Sequence, residues 1–155
     1  MDLEEQYERL LRYCYMKVRD RSLAEDLTQD AFIRFFESKT YRSEGKELAY
    51  LYTIAENLCR DRFRKRRELL LDDMPPGTQE AFLSRESEEA DTLERLAVER
   101  ALERLTEEER DIVMLRFSAE LSIGDVGKIK NLSRFAVYRR LSGALKKLEK
   151  EMEER

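Results

Sequence analysis

The sequence predicts an all-α protein with two small helical domains joined by a flexible acidic linker. Apolar residues recur at spacings of three and four over most of the chain, the period of an amphipathic helix. Only five Gly and two Pro interrupt its 155 residues. Ser22 and Thr106 are each followed three residues later by Glu, a spacing typical of helix starts. We expect the first domain at residues 1–67, the linker at 68–91 and the second domain at 92–155.

Two helices are predicted at the start of the first domain. One runs from about Leu3 to Val18, and the other opens at Ser22, which can form a capping box with Glu25. The expected buried side of the first helix comprises Tyr7, Leu10, Leu11, Cys14, Tyr15 and Val18. The second helix is expected to bury Leu27, Ala31 and either Phe32 or Phe35, and to expose Glu25, Asp26, Gln29 and Asp30.

A third helix begins near Glu47 and carries a concentration of positive charge. Its apolar face comprises Leu51, Ile54, Ala55 and Leu58, whereas Asn57, Arg60, Asp61 and Arg64 form a polar stripe on the opposite side. The run from Asn57 to Arg67 contains six basic residues and one acidic residue. Such a run suits a polyanion, but it is equally compatible with a solvated helix end that complements the helix dipole.

The segment from Glu68 to Asp91 is predicted to be the linker. It contains eight acidic residues and one Arg, and Pro75, Pro76 and Gly77 interrupt any helix there. The net charge of the chain is −4, yet basic segments lie on both sides of this acidic one. The overall charge therefore does not exclude nucleic-acid binding, which depends on local patches.

Helical periodicity returns in the second domain and ends in a helix-turn-helix pattern. Thr106 and Glu109 have capping-box spacing before a helix that ends near Phe117. Ser122 opens a short helix, Asn131 can supply its left-handed end, and Ser133 caps the next. In that last helix the inward positions are Val137, Leu141, Ala144, Leu145 and Leu148, and the outward ones are Arg134, Phe135, Tyr138, Arg139 and Ser142. This pattern favours a DNA-reading motif over a plain helical hairpin.

Composition argues against several other functions. The chain has no His, and neither a phosphate-binding Gly loop nor a nucleophile beside a base is found, so we expect no enzyme, no metal site and no cofactor. Cys14 and Cys59 lie on apolar helical positions, as buried free thiols do. The longest aliphatic run, Ile112 to Leu115, is far too short to span a membrane, and the charged N-terminus is not a signal peptide. We expect a cytoplasmic protein without membrane insertion.

Four segments together resemble a known family. AEDLTQDAFIRFF, Ala24 to Phe36, and YLYTIAENLCRDRFRKRR, Tyr50 to Arg67, resemble the second conserved region of the extracytoplasmic-function (group IV) bacterial sigma factors. ALERLTEEERDIVMLRF, Ala101 to Phe117, with the helix-turn-helix through Leu148, resembles their fourth region. The resemblance implies a subunit that binds core RNA polymerase and directs promoter-specific initiation, with minus-ten recognition by the first domain and minus-thirty-five recognition by the second.

The resemblance also implies sites. Asp26, Gln29 and Asp30 correspond to the contact with the clamp helices of the largest polymerase subunit. The loop from Thr40 to Lys46, which includes Tyr41, corresponds to the loop that captures a flipped minus-ten base. DNA contacts are further expected from Asn57, Arg60, Asp61, Arg62, Arg64 and Lys65 in the first domain, and from Arg134, Phe135, Tyr138 and Arg139 in the second. Lys128, Lys146 and Lys147 are expected at phosphates or in solvent. Relatives of this family are often held inactive by an anti-sigma factor, which the resemblance implies as a further partner.

Several positions depart from the family pattern. Tyr50 stands where Trp is common, and Gly124 and Gly127 stand where Glu and Ala are usual. Each Gly should weaken its helix by roughly 1 kcal/mol relative to Ala. Phe135 and Ala136 replace a frequent Gly and Thr at the start of the recognition helix. Base contacts are therefore not transferable from a relative.

Two other functions remain open from the sequence. An autonomous helix-turn-helix regulator would use the N-terminal bundle for dimerisation or ligand sensing and would bind duplex DNA without polymerase. A helical adaptor or inhibitor would explain the acidic stretch from Asp26 to Asp30 but would leave both basic faces without a task.

Overall fold

The computed structural model describes residues 2–38, 46–73 and 93–153, and all regular structure within these ranges is helical. The chain divides into two compact units, Met1–Ser87 and Glu88–Arg155. The first unit contains α1 (Leu3–Val18), α2 (Arg21–Glu37) and α3 (Glu47–Asp73). The second contains α4 (Leu93–Glu103), α5 (Glu107–Val113), α6 (Ile123–Lys130) and α7 (Arg134–Glu153). The prediction of an all-α protein is confirmed.

In the first unit, α1, α2 and α3 pack on one another in all three pairings. Leu10, Ala24, Leu27, Leu51 and Ala55 are buried at their common centre. The rings of Tyr13 and Tyr52 meet edge to face with their centroids 5.3 Å apart and join α1 to α3. The helix α3 continues through Asp73, into the segment predicted as linker.

The predicted start of α2 is wrong. Asp20, not Ser22, is the N-cap: its carboxylate accepts a hydrogen bond from the Leu23 amide at 3.3 Å, and its carbonyl accepts one from the Ala24 amide. Asp caps a helix as well as Ser does, and a start at Asp20 adds two helical residues. Ser22 is therefore an exposed residue of the first turn.

The buried side of α1 is also wider than predicted. Tyr13 and Met16 are buried, whereas Leu11 and Tyr15 are only half-buried. The reason is that α1 packs against two helices, so the covered part of its surface extends beyond the single apolar stripe of its sequence.

The second unit has the predicted helix-turn-helix and the predicted caps. Thr106 and Glu109 make both bonds of a capping box, at 2.9 and 3.1 Å. Ser122 and Ser133 accept hydrogen bonds from the amides of Asp125 and Ala136, and these bonds begin α6 and α7. Asn131 ends α6 in the left-handed conformation with φ of 58°. The turn between α6 and α7 is therefore defined by local bonds at both ends.

A five-residue π-helical segment, Met114–Ser118, extends α5 to the point where the sequence predicted its end. The core of the second unit comprises Leu102, Leu105, Ile112, Leu115, Val126, Val137 and Leu141. A buried ion pair joins α5 to α6, with 2.6 Å between Lys130 Nζ and Asp111 Oδ2. Leu145, predicted to face inward, is 39% exposed, whereas the adjacent Ala144 is fully buried, so Leu145 lies at the edge of the covered face of α7.

Candidate nucleic-acid interface

The outer face of α2 carries the acidic group predicted from the sequence. Asp26 and Gln29 are exposed and Asp30 is half-buried. Their spacing of three and four residues makes them neighbours on one helix face. Asp30 forms an ion pair with Arg34 at 3.1 Å, whereas the side-chain amide of Gln29 donates a hydrogen bond to the Tyr7 hydroxyl oxygen at 3.4 Å. The three side chains therefore form one continuous polar surface.

Two large apolar side chains, neither of them predicted as part of a site, extend this surface. Ile33 is 54% exposed and Phe36 is 61% exposed. They follow Asp26, Gln29 and Asp30 at helical spacing, so this periodicity was the signal that could have found them. The Phe36 ring contacts Phe32 and Phe35, at centroid distances of 6.2 and 5.4 Å. An acidic surface with an apolar end suits a protein partner better than nucleic acid.

The cationic stripe of α3 lies on the solvent side, as predicted. Asn57, Arg60, Asp61, Arg64 and Lys65 are all exposed, and Arg62 is exposed beside them. This arrangement leaves basic groups on an uncovered helix face, where a polyanion can reach them.

Acidic residues of the same helix compensate part of that charge. The Arg60 guanidinium donates to Glu56 Oε1 at 2.6 Å, and the Glu56 side chain is only 2% exposed. Arg64 Nη2 lies 3.6 Å from Asp61 Oδ1. Glu56 was not among the residues predicted from the sequence, although its spacing of four from Arg60 was a signal for this pair. Arg60 therefore has a structural partner as well as an exposed face.

The loop predicted to capture a base lies almost wholly outside the described residues, and so does Tyr41. Lys46 is exposed at its end. Ser38 and Tyr50 flank the loop, and the Tyr50 hydroxyl donates to Ser38 Oγ at 2.8 Å. The Tyr50 ring also lies 5.8 Å from the Phe35 ring. These contacts join the C-terminal end of α2 to the first turn of α3, on either side of the loop.

The outward face of α7 combines cations with aromatic rings. Phe135 is 73% exposed, Tyr138 is 61% exposed, and Arg134 and Arg139 are exposed beside them. The Arg139 guanidinium lies over the Phe135 ring with Cζ 5.6 Å from the centroid. All four residues predicted to contact DNA thus lie on an uncovered side of the second helix of the motif.

Arg134 differs from the other three because its guanidinium lies against α6. A Cβ atom placed on Gly124 would be 3.0 Å from Arg134 Nη2. The absence of a side chain at Gly124 therefore makes room for the Arg134 side chain, and a departure from the family pattern is matched by a contact within the motif.

Other cations of the motif have partners within the unit. Lys147 Nζ lies 2.9 Å from Glu109 Oε1, and Arg140 forms an ion pair with Glu108. Burial raises the pKa of Glu109, but hydrogen bonds from the Thr106 amide and Lys147 outweigh it and leave the pKa below its usual value. Lys128 and Lys146 are exposed. The lysines predicted at phosphates or in solvent are therefore not equivalent, since Lys147 also joins α7 to α5.

Among the residues that the structure describes, no group of three or more Cys, Asp or Glu side chains could hold a metal ion. Both cysteines, Cys14 and Cys59, are buried and unbridged. The described helices include none that is long and apolar enough to cross a membrane.

Comparison with known proteins identifies both units. The family profile "Sigma-70 region 2" matches residues 3–68, and "Sigma-70, region 4" matches residues 101–150. The chain is 30% identical over 141 residues to the ECF RNA polymerase sigma factor BldN of Streptomyces coelicolor, with 87% of this chain and 53% of BldN covered. It is 26% identical over 156 residues to the ECF RNA polymerase sigma factor SigW of Bacillus subtilis, with 94% and 83% covered. The chain thus spans about half the length of BldN and most of SigW.

A solved structure has the same fold. It is the sigma factor RpoE in complex with the anti-sigma factor NepR, from Bartonella quintana. The TM-score is 0.77 at 20% sequence identity, over 95% of this chain and 91% of that chain. At 20% sequence identity, the similarity between the two chains shows a shared fold and nothing further.

Proposed function

This chain belongs to the extracytoplasmic-function group of bacterial RNA polymerase sigma factors, and from that membership we propose that it binds core RNA polymerase and directs promoter-specific transcription initiation. The observation that carries the proposal is the ordered pair of matched regions, 3–68 and 101–150, each with an exposed face of suitable chemistry. Sigma factors are regulatory subunits rather than enzymes, and we infer the same for this chain. Its site of action would be the cytoplasm, where the polymerase works.

The contact with polymerase is assigned to α2. Asp26, Gln29 and Asp30 would meet the clamp helices of the largest polymerase subunit, and their exposure on one face supports this assignment. Ile33 and Phe36 would add apolar area at the end of the same surface. An anti-sigma factor is proposed to act by covering this surface, since 54% and 61% exposed apolar side chains would gain from burial by either partner.

Promoter opening is assigned to α3 and the loop before it. Separating a base from its stack costs a few kcal/mol, so the separated strand needs both a pocket and cationic support. The pocket would be formed by the Thr40 to Lys46 loop, including Tyr41. The support would come from the polar stripe, which comprises Asn57, Arg60, Asp61, Arg62, Arg64 and Lys65.

The helix-turn-helix is assigned to the duplex minus-thirty-five element. A recognition helix enters the major groove with the residues near its N-terminus at the base edges. Phe135, Tyr138 and Arg139 have the exposure that such contacts need, and Arg134 lies at the boundary with α6. Lys128 and Lys146 are exposed cations that would contact phosphates.

The decisive experiment is reconstituted transcription. Core polymerase with the purified chain should initiate from a defined subset of a genomic promoter pool, whereas core polymerase alone should not. Failure across the whole pool would overturn the proposal. Tight, sequence-specific duplex binding by the chain without polymerase would instead favour the autonomous regulator, which no observation in the structure favours.

A further inference from the structure

The recognition helix α7 presents an apolar surface where nucleic acid is expected to bind. Phe135 and Tyr138 are 73% and 61% exposed, one turn apart on the outward face. Single exposed apolar residues are ordinary, but here two large rings are adjacent and lie among arginines. Neither ring is needed for the core, which is formed on the opposite side by Val137, Leu141 and Ala144.

One of the rings is paired with a cation in a defined geometry. Arg139 Cζ lies 5.6 Å from the centroid of the Phe135 ring, four residues away on the same face. A guanidinium held over a ring has less conformational freedom than a solvated one, so less is lost when it binds a base. Phe135 and Arg139 therefore form one unit with an apolar part and a forked hydrogen-bond donor.

The major groove offers a match for each part. The 5-methyl group of thymine is its apolar feature, and guanine presents O6 and N7, which accept two hydrogen bonds from one Arg. Residues four apart on a helix are separated by about 6 Å along its axis, or about two base-pair steps of 3.4 Å. A thymine and a guanine within two steps of each other would thus fit Phe135 and Arg139 together.

We propose that Phe135 contacts the 5-methyl group of a thymine in the duplex minus-thirty-five element, with Arg139 directed to a guanine within two base pairs of it. The proposal rests on the proposed function, because it requires that α7 enters the major groove. Charge favours DNA as the occupant of this surface over an apolar protein patch, since Arg134 and Arg139 are exposed on the same helix as the two rings, and Lys128 and Lys146 are further exposed cations of α6 and α7.

The test removes the methyl group from the DNA. Full-length chain is assembled with core polymerase, and minus-thirty-five duplexes are selected from a randomised pool. Each thymine of the selected element is then replaced in turn by uracil, which keeps the base pair and its hydrogen-bonding groups. One replacement should weaken binding about fourfold, the effect of one buried methyl group. Equal affinity for thymine and uracil at every position would overturn the proposal.

Variants connect that methyl group to Phe135. Phe135→Ala should weaken binding of the thymine duplex and remove the difference between thymine and uracil. Lys146→Ala, as a control, should weaken both duplexes equally and keep the difference, because a phosphate contact carries no base information. Discrimination that persists in Phe135→Ala would contradict the assignment, and so would a loss confined to core polymerase binding, which would assign the ring to a protein contact.

Different results would overturn the proposed function and the contact of Phe135 with thymine. A holoenzyme that selects no duplex and starts no transcript overturns the proposed function and this inference together. A holoenzyme that selects and transcribes promoters without sensing the methyl group overturns this inference alone.

Discussion

Two glycines of the helix-turn-helix, Gly124 and Gly127, make room for different neighbouring groups. Gly124 leaves space for the Arg134 guanidinium, whose flexible end could move if a side chain were added. At Gly127 a Cβ would lie 2.6 Å from the carbonyl oxygen of Leu132, which belongs to the backbone of the turn. The carbonyl of Gly127 also accepts the amide of Leu132 at 2.8 Å. Only Gly lets α6 and the turn approach this closely, so the expected loss of helix propensity at Gly127 is offset by close packing.

The first prediction concerns this close approach. Gly127→Ala should destabilise the second unit by about 1–3 kcal/mol, because the backbone overlap outweighs the gain in helix propensity of about 1 kcal/mol. Gly143→Ala is the matched control, since nothing lies within 4 Å of a Cβ at that position of α7. The control should stabilise the unit by up to about 1 kcal/mol. Thermal unfolding followed by circular dichroism measures both, and equal stabilisation by the two changes would contradict the close approach.

At the scale of elements, α2 and α3 expose surfaces of opposite character. The α2 surface is acidic and ends in apolar side chains, whereas α3 presents arginines and a lysine. Arg60 is poorly suited to a test of the α3 surface, because replacing it would remove the partner that Glu56 has at 2.6 Å, and a buried carboxylate without its cation is costly. Arg64 and Lys65 are exposed, and the acid paired with Arg64 is Asp61, which is exposed rather than buried.

The second prediction separates the two surfaces. Asp26→Lys should weaken binding to core polymerase about tenfold or more, because one charge of the contact is reversed. The double change Arg64→Glu and Lys65→Glu should leave that affinity within about twofold and should slow open-complex formation about tenfold or more. Affinity is measured by titration of labelled core polymerase, and opening by permanganate reactivity of thymines.

Exposed charges of α1 provide the controls for this experiment. Glu8→Lys and Arg12→Glu should alter neither quantity, since both residues are exposed on a helix to which no contact is assigned. Equal loss of polymerase binding and of opening in the Arg64 and Lys65 variant would refute the division between α2 and α3.

At the scale of the whole molecule, each unit has its own core. Leu10, Leu51 and Ala55 are buried by the three helices of the first unit, and Ile112 and Val137 are buried within the second. Each core is closed by helices that are close together in sequence, which is typical of units that fold alone. Under the proposed function, binding to core polymerase and reading of duplex DNA would belong to separate units of the same chain.

The third prediction is that the fragments 1–87 and 88–155 each fold without the other. Each should have helical circular dichroism and a cooperative urea transition, although domains of this size are only marginally stable. Leu51→Ala in the first fragment and Ile112→Ala in the second should each cost about 2–5 kcal/mol, because both side chains are fully buried. A fragment that shows no cooperative transition would contradict the assignment of a complete core to its unit.

Local patterns in the sequence predicted the helices, most of their caps and the faces that carry charge. The bounds of α1 and the caps at Thr106, Ser122, Asn131 and Ser133 were predictable because each depends on a few adjacent residues. Periodicity also predicted the exposure of the α3 stripe and of Phe135 and Tyr138, since it states which residues share a face. At the start of α2 the capping-box pattern predicted Ser22 as the N-cap, but the N-cap is Asp20, two residues earlier.

The extent to which each helix face is covered, and the partners of the charged side chains, depend instead on how the helices pack together. Tyr13 is buried because α1 has two neighbours, and Leu145 is 39% exposed although the adjacent Ala144 is fully buried. Two contacts join residues of different helices. One is the ion pair of Asp111 with Lys130, and the other is the packing of the Arg134 guanidinium against Gly124. Helical periodicity predicts the direction in which each side chain leaves its own helix axis. Burial and ion pairing also depend on where the neighbouring helices lie. Those positions follow from the packing of whole side chains and not from any local pattern.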